Sequence, residues 1–293
     1  MRISELYARS EPTLSFEFFP PKTEDAEAAL FRETVPALKE LGPAFISVTY
    51  GAGGGTRDKT LRIVNRLRRD FGIESMAHLT CVGSTQAMLG DVLDEAHTLG
   101  IENILCLRGD PPKGQTEFHA IEGGFAYALD LIRFVKGRNH FTIGAAGYPE
   151  GHVECSNKQL DWDRCVAKVE AGAEFIITQL FYNVEDFFAF ADYLRNKKQV
   201  RVPIIPGVLP FLSTEQIKRF TSLCGSKIPD PLRKRLEELA HDDEAVRQVG
   251  VEVCTEMCRK LLDAGVPGLH IYCLNRSSST SEIVRNLGLA ARS

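Results

Sequence analysis

The sequence predicts a single (β/α)8 barrel that spans residues 1–293 and carries a helical insertion before its eighth strand. Eight short apolar segments alternate with segments of helical periodicity, and their carboxyl ends fall near positions 17, 49, 78, 108, 146, 179, 207 and 272. Strands that recur about every 30 residues, with a helix between them, are typical of one α/β barrel. A doubly wound open sheet is the alternative, but it usually has fewer strands over this length.

Each predicted strand is an apolar or β-branched run that ends at proline, glycine or a polar residue. The predicted strands are Leu14–Phe19, Phe45–Tyr50, Ser75–Val82, Asn103–Leu107, Phe141–Gly147, Phe175–Phe181, Pro203–Val208 and Leu269–Leu274. The predicted helices end near Leu41, Phe71, Leu99, Lys136, Val169, Asn196 and Leu223, and a final helix follows Arg276. Thr23 or Glu24 can cap the first helix, and Gly42 can end it. Charged, mostly helical sequence up to about residue 264 forms the insertion.

The composition is that of a soluble globular protein, with 44% hydrophobic and 25% charged residues and a net charge of −4. This charge gives no support for nucleic acid or an anionic membrane surface as a partner. The first residues lack the apolar segment of a signal peptide, and no run approaches the ~20 apolar residues of a membrane span. Eight scattered cysteines are typical of reduced thiols in a cytosolic chain. We therefore expect a cytoplasmic protein.

The stretch Ile104–Pro112 (I-L-C-L-R-G-D-P-P) places charged side chains at the end of a buried strand. Gly109 permits a sharp turn there, and the two prolines prevent helix formation. The carboxyl ends of barrel strands are where ligands bind. Arg108 and Asp110 are therefore candidate site residues, and a purely structural Arg–Asp pair is the alternative interpretation.

Glu17 is the only charged residue in L-S-F-E-F-F-P-P, where three phenylalanines flank it. A carboxyl in such surroundings loses hydration, and we expect its pKa to rise. A raised pKa is what a general acid needs near neutral pH. The alternative is a glutamate that pairs with a core arginine or a backbone donor.

Other predicted strand ends carry polar side chains whose role the pattern leaves open. His78 lies inside an apolar strand, where core histidines are commoner than catalytic ones. Gln179 suits an amide-like or pterin-like edge, but a structural hydrogen bond explains it equally well. Gln216 and Phe220 lie four residues apart and share one helix face, although Phe220 also fits an amphipathic core pattern.

Several familiar site patterns are missing from the sequence. The glycine-rich loop at residues 51–56 lacks the Lys of a P-loop and the final Gly of a dinucleotide-binding loop. Cys254 and Cys258 are one helical turn apart, but no His or Cys pair at matching spacing completes a zinc site. No Asp/His cluster suggests a catalytic metal, and no strand interior carries the Lys of a Schiff-base enzyme. No metal site is therefore predicted.

Eight motifs occur in the order in which one enzyme family has them. They are S-F-E-F-F-P-P-K, S-V-T-Y-G-A-G-G, H-L-T-C, L-R-G-D-P-P, A-A-G-Y-P-E-G-H, I-T-Q-L-F, P-G-V-L-P and Y-C-L-N-R, and they cover about residues 14–290. Each motif is weak alone, but the ordered set is highly specific. The chain resembles methylenetetrahydrofolate reductase, in the short bacterial form that consists of the catalytic barrel alone.

The resemblance implies an FAD enzyme in which NADH, more than NADPH, reduces the flavin and leaves before the folate binds. 5,10-Methylenetetrahydrofolate is then reduced to 5-methyltetrahydrofolate, which supplies the methyl group of methionine. The expected partners are these small molecules and further copies of the same chain in a homo-oligomer.

The resemblance also implies roles for individual residues. Glu17 matches the family's proton donor, and Asp110 matches a carboxylate near the flavin and the pterin. The positions that match FAD contacts are Tyr50, Ala52, His78, Arg108, Gly109, Asp110, Ala128, Tyr148, His152, Asp161 and Lys168. The positions that match folate or NADH contacts are Glu17, Thr49, Asp110, Gln179, Gln216, Phe220, Tyr272 and Arg276. Cys155, Arg164 and Ala167 depart from the bacterial pattern of Ala, Asn and Arg, near the expected FAD phosphate and adenosine contacts.

These residues suit the implied chemistry. The imidazolidine ring of the folate must open to an iminium before it accepts hydride, and opening needs a proton at the leaving nitrogen, a role for Glu17. A fixed carboxylate such as Asp110 stabilises the resulting cation. Two alternatives stay open: a cofactor-free lyase or aldolase that uses Glu17 as a base, and a catalytically silent flavin- or folate-binding barrel. A flavin spectrum excludes the first, and bleaching by NADH excludes the second.

Overall fold

The computed structural model describes residues 1–8, 11–50, 57–111, 114–115 and 117–289, apart from the side chains of residues 57 and 58. Its centre is a barrel of parallel strands, as the sequence predicts. The strands are β1 (Thr13–Phe18), β2 (Phe45–Val48), β3 (Ser75–Thr80), β4 (Asn103–Leu107), β5 (Thr142–Gly147), β6 (Phe175–Thr178), β7 (Ile204–Ile205), β8 (Gly207–Val208) and β9 (Gly268–Tyr272). Strands β1 to β7 pair in succession, and β9 pairs with both β1 and β8.

The predicted seventh strand, residues 203–208, is divided into β7 and β8 at Pro206. Proline has no N–H and cannot donate to a strand ladder. Its carbonyl still accepts a hydrogen bond from His270 N at 3.0 Å. β7 pairs with β6 and β8 pairs with β9, so the two pieces together occupy one barrel position and complete the ring.

The helices alternate with the strands around the barrel. They are α1 (Ile3–Leu6), α2 (Glu24–Ala29), α3 (Val35–Lys39), α4 (Arg57–Phe71), α5 (Gln86–Thr98), α6 (Ala128–Lys136), α7 (Lys158–Glu170), α8 (Val184–Asp192), α9 (Thr214–Cys224), α10 (Asp230–Glu238), α11 (Asp243–Asp263) and α12 (Ser278–Asn286). π-Helical turns at Leu30–Thr34 and Tyr193–Lys197 extend α2 and α8. The predicted insertion consists of α10 and α11. Side-chain caps begin six of these helices, at Thr23, Thr85, Asn157, Asn183, Ser213 and Asp242.

Strand alternation divides the core into two layers. Outward-facing residues such as Phe16 and Ile46 pack in the main cluster together with helix residues. Inward-facing residues at the amino ends of the strands, including Phe45, Met76 and Phe175, form an apolar floor inside the barrel. Helix α1, which the sequence analysis did not predict, closes this end with the buried side chains Ile3, Leu6 and Tyr7. The barrel interior is therefore filled with apolar side chains at the amino ends of the strands and is polar toward their carboxyl ends.

Candidate active site

A polar cluster lies inside the barrel beyond the apolar floor, with Glu17 at its centre. Glu17 is 6% exposed, and its Oε2 atom accepts a hydrogen bond from Ser47 Oγ at 3.3 Å. Nε2 of His270 lies 3.3 Å from the same oxygen, and Nε2 of His78 lies at the same distance. These four side chains come from β1, β2, β3 and β9, which are consecutive in the barrel. The parallel register, which sets Glu17 beside Ser47, brings them together.

His270 is a member of this cluster that the sequence analysis missed. Its ring is fully buried, and its Nδ1 atom lies 2.8 Å from Ser15 Oγ. Phe45 stacks on the imidazole at a centroid distance of 5.9 Å, and Tyr272 meets it edge-on at 5.4 Å. Side chains alternate between the two faces of a strand, so residues 268, 270 and 272 of β9 share one face. The pattern L-H-I-Y therefore indicated that His270 faces the barrel interior.

The pKa of Glu17 is lowered from its ordinary value of 4.5 to about 2, so the expectation of a raised pKa is wrong for this structure. Burial does raise the pKa, but the charges of His78 and His270 and the hydrogen bond from His270 together outweigh it. The sequence neighbours misled the prediction, because Phe16 and Phe18 face the helices. Glu17 faces the barrel interior, where imidazoles surround it.

The low pKa of Glu17 predicts a pH-dependent stability contribution. A carboxyl that titrates near 4.5 in the unfolded chain and near 2 when folded stabilises the fold by about 3 kcal/mol above pH 5. This contribution is lost as the pH falls toward 2. Glu17→Gln should therefore be less stable than wild type at neutral pH by up to about 3 kcal/mol. This difference in the free energy of unfolding should become smaller as the pH falls to about 3.5.

Urea unfolding of both proteins across this pH range measures the gap. Glu252→Gln is the matched control, since Glu252 is a surface carboxylate paired with Arg235, and surface pairs contribute about 1 kcal/mol or less. A Glu17→Gln variant that is more stable than wild type at neutral pH would show that desolvation dominates at Glu17 after all.

At the end of β4, Arg108 pairs with Glu154 and not with Asp110. Nη2 of Arg108 donates to Oε1 of Glu154 at 2.7 Å, and Nη1 donates to Oε2. This pairing raises the pKa of Arg108. Gly109 has a φ of +87°, and a Cβ there would lie 2.8 Å from Val82 Cγ1, so only glycine fits. Asp110 is exposed and leaves the strand end as a solvent-facing carboxylate.

The predicted FAD residues after β5 lie together. Tyr148 and His152 meet edge-on at 4.8 Å, and Lys168 Nζ lies 5.6 Å from the Tyr148 ring centre and donates to Ala146 O at 2.9 Å. Asp161 is buried, and burial raises its pKa. Burial and the charge of Arg108 lower the pKa of His152. An aromatic pair with Lys168 beside it therefore lies on this side of the barrel mouth.

Three of the predicted folate and NADH residues lie later in the chain: Gln179 follows β6, Gln216 lies on α9, and Tyr272 lies on β9. Tyr272 donates its hydroxyl to Thr178 O at 2.6 Å, which joins β9 to β6. The side-chain oxygens of Gln179 and Gln216 accept from Leu180 N at 2.9 Å and Leu212 N at 2.8 Å. The NH2 group is the part of each amide that remains to donate to a ligand.

The turn after β9 holds Arg276 through an unusual backbone conformation. Leu274 and Asn275 have φ values of 51° and 59°, a region that a branched side chain rarely adopts. The Asn275 side chain fixes the turn, because it accepts from Phe19 N at 2.9 Å and donates to Phe19 O at 2.8 Å. Arg276 shares a small cavity with Tyr272. The ends of β1 and β9 are thus clamped beside Glu17.

The remaining predicted residues are placed as follows. Ala128 is the first residue of α6 and is buried. Tyr50 is buried, Thr49 donates its N–H to Phe18 O at 2.9 Å, and Phe220 is half-buried on α9. Ala52, like the rest of the loop at residues 51–56, lies outside the described residues.

The donor set at the barrel mouth fits a flavin dinucleotide. Arg108 and Lys168 supply positive charge for an anionic phosphate group. Among the described residues, the buried hydroxyl of Thr80 on β3 lacks a hydrogen-bond partner, and such a group usually belongs to a ligand or water site. Within the same residues, no three His, Cys, Asp or Glu side chains assemble as metal ligands. No described helix combines the length and the apolarity needed to cross a membrane.

Comparison with known families shows to which family the chain belongs. The model of the family described as methylenetetrahydrofolate reductase matches residues 2–288. The chain belongs to this family.

Relatives of two kinds support the membership in the methylenetetrahydrofolate reductase family. The chain is 40% identical over 299 residues to methylenetetrahydrofolate reductase (NADH) 1 of Arabidopsis thaliana, covering 98% of this chain and 50% of that protein. It is 35% identical over 289 residues to 5,10-methylenetetrahydrofolate reductase of Pectobacterium carotovorum subsp. carotovorum, covering 98% of this chain and 93% of that protein. The chain thus spans about half the length of the plant relative and most of the bacterial one.

A solved structure shares the fold at low sequence identity. An uncharacterized protein from Clostridium thermocellum that binds two copies of 5-methyl-5,6,7,8-tetrahydrofolic acid superposes with a TM-score of 0.63 at 20% identity, over 97% of this chain and 96% of that one. This likeness supports the barrel fold. The prediction of a methylenetetrahydrofolate reductase-type barrel is therefore confirmed at the level of fold and family.

Proposed function

We propose that this chain is an FAD-dependent enzyme that reduces 5,10-methylenetetrahydrofolate to 5-methyltetrahydrofolate, with NADH as the preferred reductant and with the two substrates binding in turn. The observation that carries the proposal is the buried carboxyl of Glu17, which lies among imidazoles inside the barrel in a chain of this family. The preference for NADH is supported by the name of the Arabidopsis thaliana relative.

The residues that would hold the cofactor are those that the family resemblance marks. They are Tyr50, Ala52, His78, Arg108, Gly109, Asp110, Ala128, Tyr148, His152, Asp161 and Lys168. FAD, when bound, supplies the hydride transfer between the nicotinamide and the folate. The barrel provides binding, orientation and charge.

The chain's own residues would act on the folate. Because its pKa is lowered, Glu17 is ionised at rest, so it would first take up a proton from solvent. It would then deliver that proton to the leaving nitrogen of the imidazolidine ring, so that the C–N bond breaks and an iminium forms. Asp110 stabilises that cation as a fixed negative charge. The NH2 groups of Gln179 and Gln216 are suited to acceptor atoms of the pterin, and Thr49, Phe220, Tyr272 and Arg276 complete the proposed pocket for folate or NADH.

The first experiment is the absorption spectrum of freshly purified protein, followed by NADH and then methylenetetrahydrofolate under anaerobic conditions. We expect a flavin spectrum that NADH bleaches and the folate restores. Correctly folded, colourless protein that cannot be reconstituted with FAD contradicts the proposal. A flavin that NADH bleaches but the folate does not restore contradicts the proposed substrate.

Lys168→Met should weaken FAD binding by about tenfold, because a charge-assisted contact contributes about 1.5 kcal/mol or more. Lys158→Met is the matched control on the same helix, since Lys158 pairs with Asp186 at 3.0 Å. Titration of the flavin-free proteins with FAD, followed by flavin fluorescence, measures both dissociation constants. Equal weakening in the two variants would place Lys168 outside the FAD site.

A further inference from the structure

We propose that Glu150 is a positioning residue that couples the FAD loop, residues 148–154 after β5, to helix α9, so that FAD occupancy places the folate and NADH residues of that helix. The inference rests on the proposed function and adds to it a residue that has no proposed contact with either ligand. It starts from the contacts between the FAD loop and the α9 connection, residues 225–227.

The FAD loop is held against two parts of the barrel. Tyr148 O accepts hydrogen bonds from Gly151 N and from Trp162 Nε1, both at 3.0 Å. Further along the loop, Glu154 accepts from Arg108 at 2.7 Å. These hydrogen bonds fix the loop against α7 and against the end of β4.

Glu150 joins the FAD loop to the α9 connection. Lys227 N donates to both carboxylate oxygens of Glu150, at 3.2 and 3.1 Å. Glu150 is half-buried, and burial raises its pKa, an effect that the hydrogen bond from Lys227 N opposes. The charge of Asp186 also raises this pKa, while the charges of Lys227 and Lys158 lower it. An ionised acceptor makes a stronger hydrogen bond than a neutral one, so this contact is suited to hold two chain segments together.

Two further contacts tie the α9 connection to its surroundings. Ser226 Oγ donates to Leu180 O at 2.7 Å, next to Gln179 at the end of β6. Gly225 has a φ of +72°, and a Cβ there would lie 2.5 Å from Val153 Cγ1, so only glycine fits against the FAD loop. The α9 connection therefore contacts the FAD loop and the end of β6 at the same time.

The α9 connection is also continuous with the last turn of the helix. The N–H groups of Gly225 and Ser226 both donate to Thr221 O, the second at 3.0 Å. A left-handed glycine with such hydrogen bonds is a common way to end a helix. Because the cap joins the connection to α9 by backbone hydrogen bonds, a change at Lys227 N reaches the end of the helix directly.

The end of α9 lies near the barrel mouth. Burial and then the charge of Asp110 raise the pKa of the Cys224 thiol to about 11, so this last residue of α9 lies within electrostatic reach of that carboxylate. Phe220 and Gln216 precede Cys224 by one and two helical turns and share its helix face. The position of the end of α9 therefore sets the position of the two residues proposed to contact folate or NADH.

Glu150 thus lies between two ligand sites without belonging to either. FAD bound to the loop restricts the motion of the turn around Glu150, and the hydrogen bond to Lys227 N then restricts the end of α9. Coupling of this kind is reciprocal in binding free energy. Loss of the hydrogen bond should therefore weaken substrate binding and leave the chemical step unchanged, which appears as a higher KM with the same kcat.

The amide hydrogen of Lys227 reports on the coupling without turnover, because it is the hydrogen that Glu150 accepts. Amide hydrogen exchange of the 15N-labelled chain, flavin-free and after addition of FAD, measures its protection. FAD should slow this exchange by about tenfold in wild type and in Glu150→Gln, whose amide oxygen still accepts. In Glu150→Ala the exchange should be fast with and without FAD.

The kinetic test uses the holoenzyme with saturating FAD. Glu150→Ala should raise the KM for NADH and for methylenetetrahydrofolate by about tenfold each, with kcat within about twofold of wild type. Glu150→Gln should bring both KM values back to within about threefold of wild type, because it keeps the acceptor oxygen. Glu185→Ala is the matched control, since Glu185 is an exposed carboxylate in the first turn of α8, and it should keep wild-type values.

Ser226→Ala keeps the inference testable if Glu150→Ala does not fold, because it removes only the contact with Leu180 O. It should raise both KM values by a smaller factor, again with kcat unchanged.

Three results would overturn the inference and leave the proposed function standing: exchange of the Lys227 amide that does not respond to FAD in wild type, unchanged KM values in Glu150→Ala, or equal KM increases in Glu150→Ala and Glu150→Gln. The last result would mean that the charge of Glu150 acts on the substrates and not its hydrogen bond. Wild-type protein that binds no FAD, or whose flavin NADH does not reduce, contradicts the proposed function itself.

Discussion

Glu17→Gln should reduce its flavin with NADH at close to the wild-type rate, while reoxidation of that flavin by methylenetetrahydrofolate should fall by at least ~100-fold. Hydride transfer from NADH involves no leaving group on a folate and needs no proton there. Opening of the imidazolidine ring does need one. Glutamine keeps the shape of the side chain and its hydrogen-bonding end, but it cannot donate a proton as an acid.

Stopped-flow measurement of each half-reaction separates these effects. The variant should remain folded, because a loss of up to about 3 kcal/mol is smaller than the usual stability of a domain. Glu252→Gln, which removes a surface carboxylate paired with Arg235, should leave both half-reactions unchanged. If both rates fall together in Glu17→Gln, the residue positions the flavin. If neither falls, the acid is a different group, and a water near Asp110 or His78 becomes the next candidate.

The barrel could be predicted because its signals are local. Each strand is a short apolar run with a turn residue at its end, and each helix repeats its apolar face every three to four residues. Two features were not accessible in this way. Helix α1 has only four residues, too few for periodicity, and gains its stability from the barrel floor. The seventh strand is divided at Pro206 because its two halves pair with different neighbours, β6 and β9. This pairing is a property of the assembled sheet.

The candidate site could be predicted as a set of strand ends, but its chemistry could not. The residues adjacent to Glu17 in the chain are not its neighbours in space, because a strand turns successive side chains to opposite faces. Its real neighbours, Ser47, His78 and His270, are 30, 61 and 253 positions away. Likewise, Arg108 pairs with Glu154 across the β4 and β5 ends. Local composition predicted the burial of Glu17 correctly but gave the wrong direction for its pKa.

Asp110→Asn should slow the folate half-reaction by about 30- to 1000-fold, which corresponds to the ~2–4 kcal/mol of a preorganised electrostatic group. Asp110 follows the tight turn at Gly109, which tolerates no side chain, so its backbone is placed at the end of β4. The guanidinium of the neighbouring Arg108 hydrogen-bonds to Glu154 and not to Asp110. We therefore expect the Asp110 carboxylate to act on the cationic iminium.

Asparagine preserves the volume of Asp110 and removes only the charge, so the loss should appear in folate reduction and in the flavin's reduction potential, with the fold intact. Stopped-flow reoxidation by methylenetetrahydrofolate and a potentiometric titration measure the two effects. Asp263→Asn, at an exposed position at the end of α11, is the control for charge removal far from the site. Because the iminium is the step at which positive charge develops, an unchanged folate rate in Asp110→Asn would mean that a different group stabilises this cation. A changed rate with an unchanged potential would mean that Asp110 acts on the folate alone.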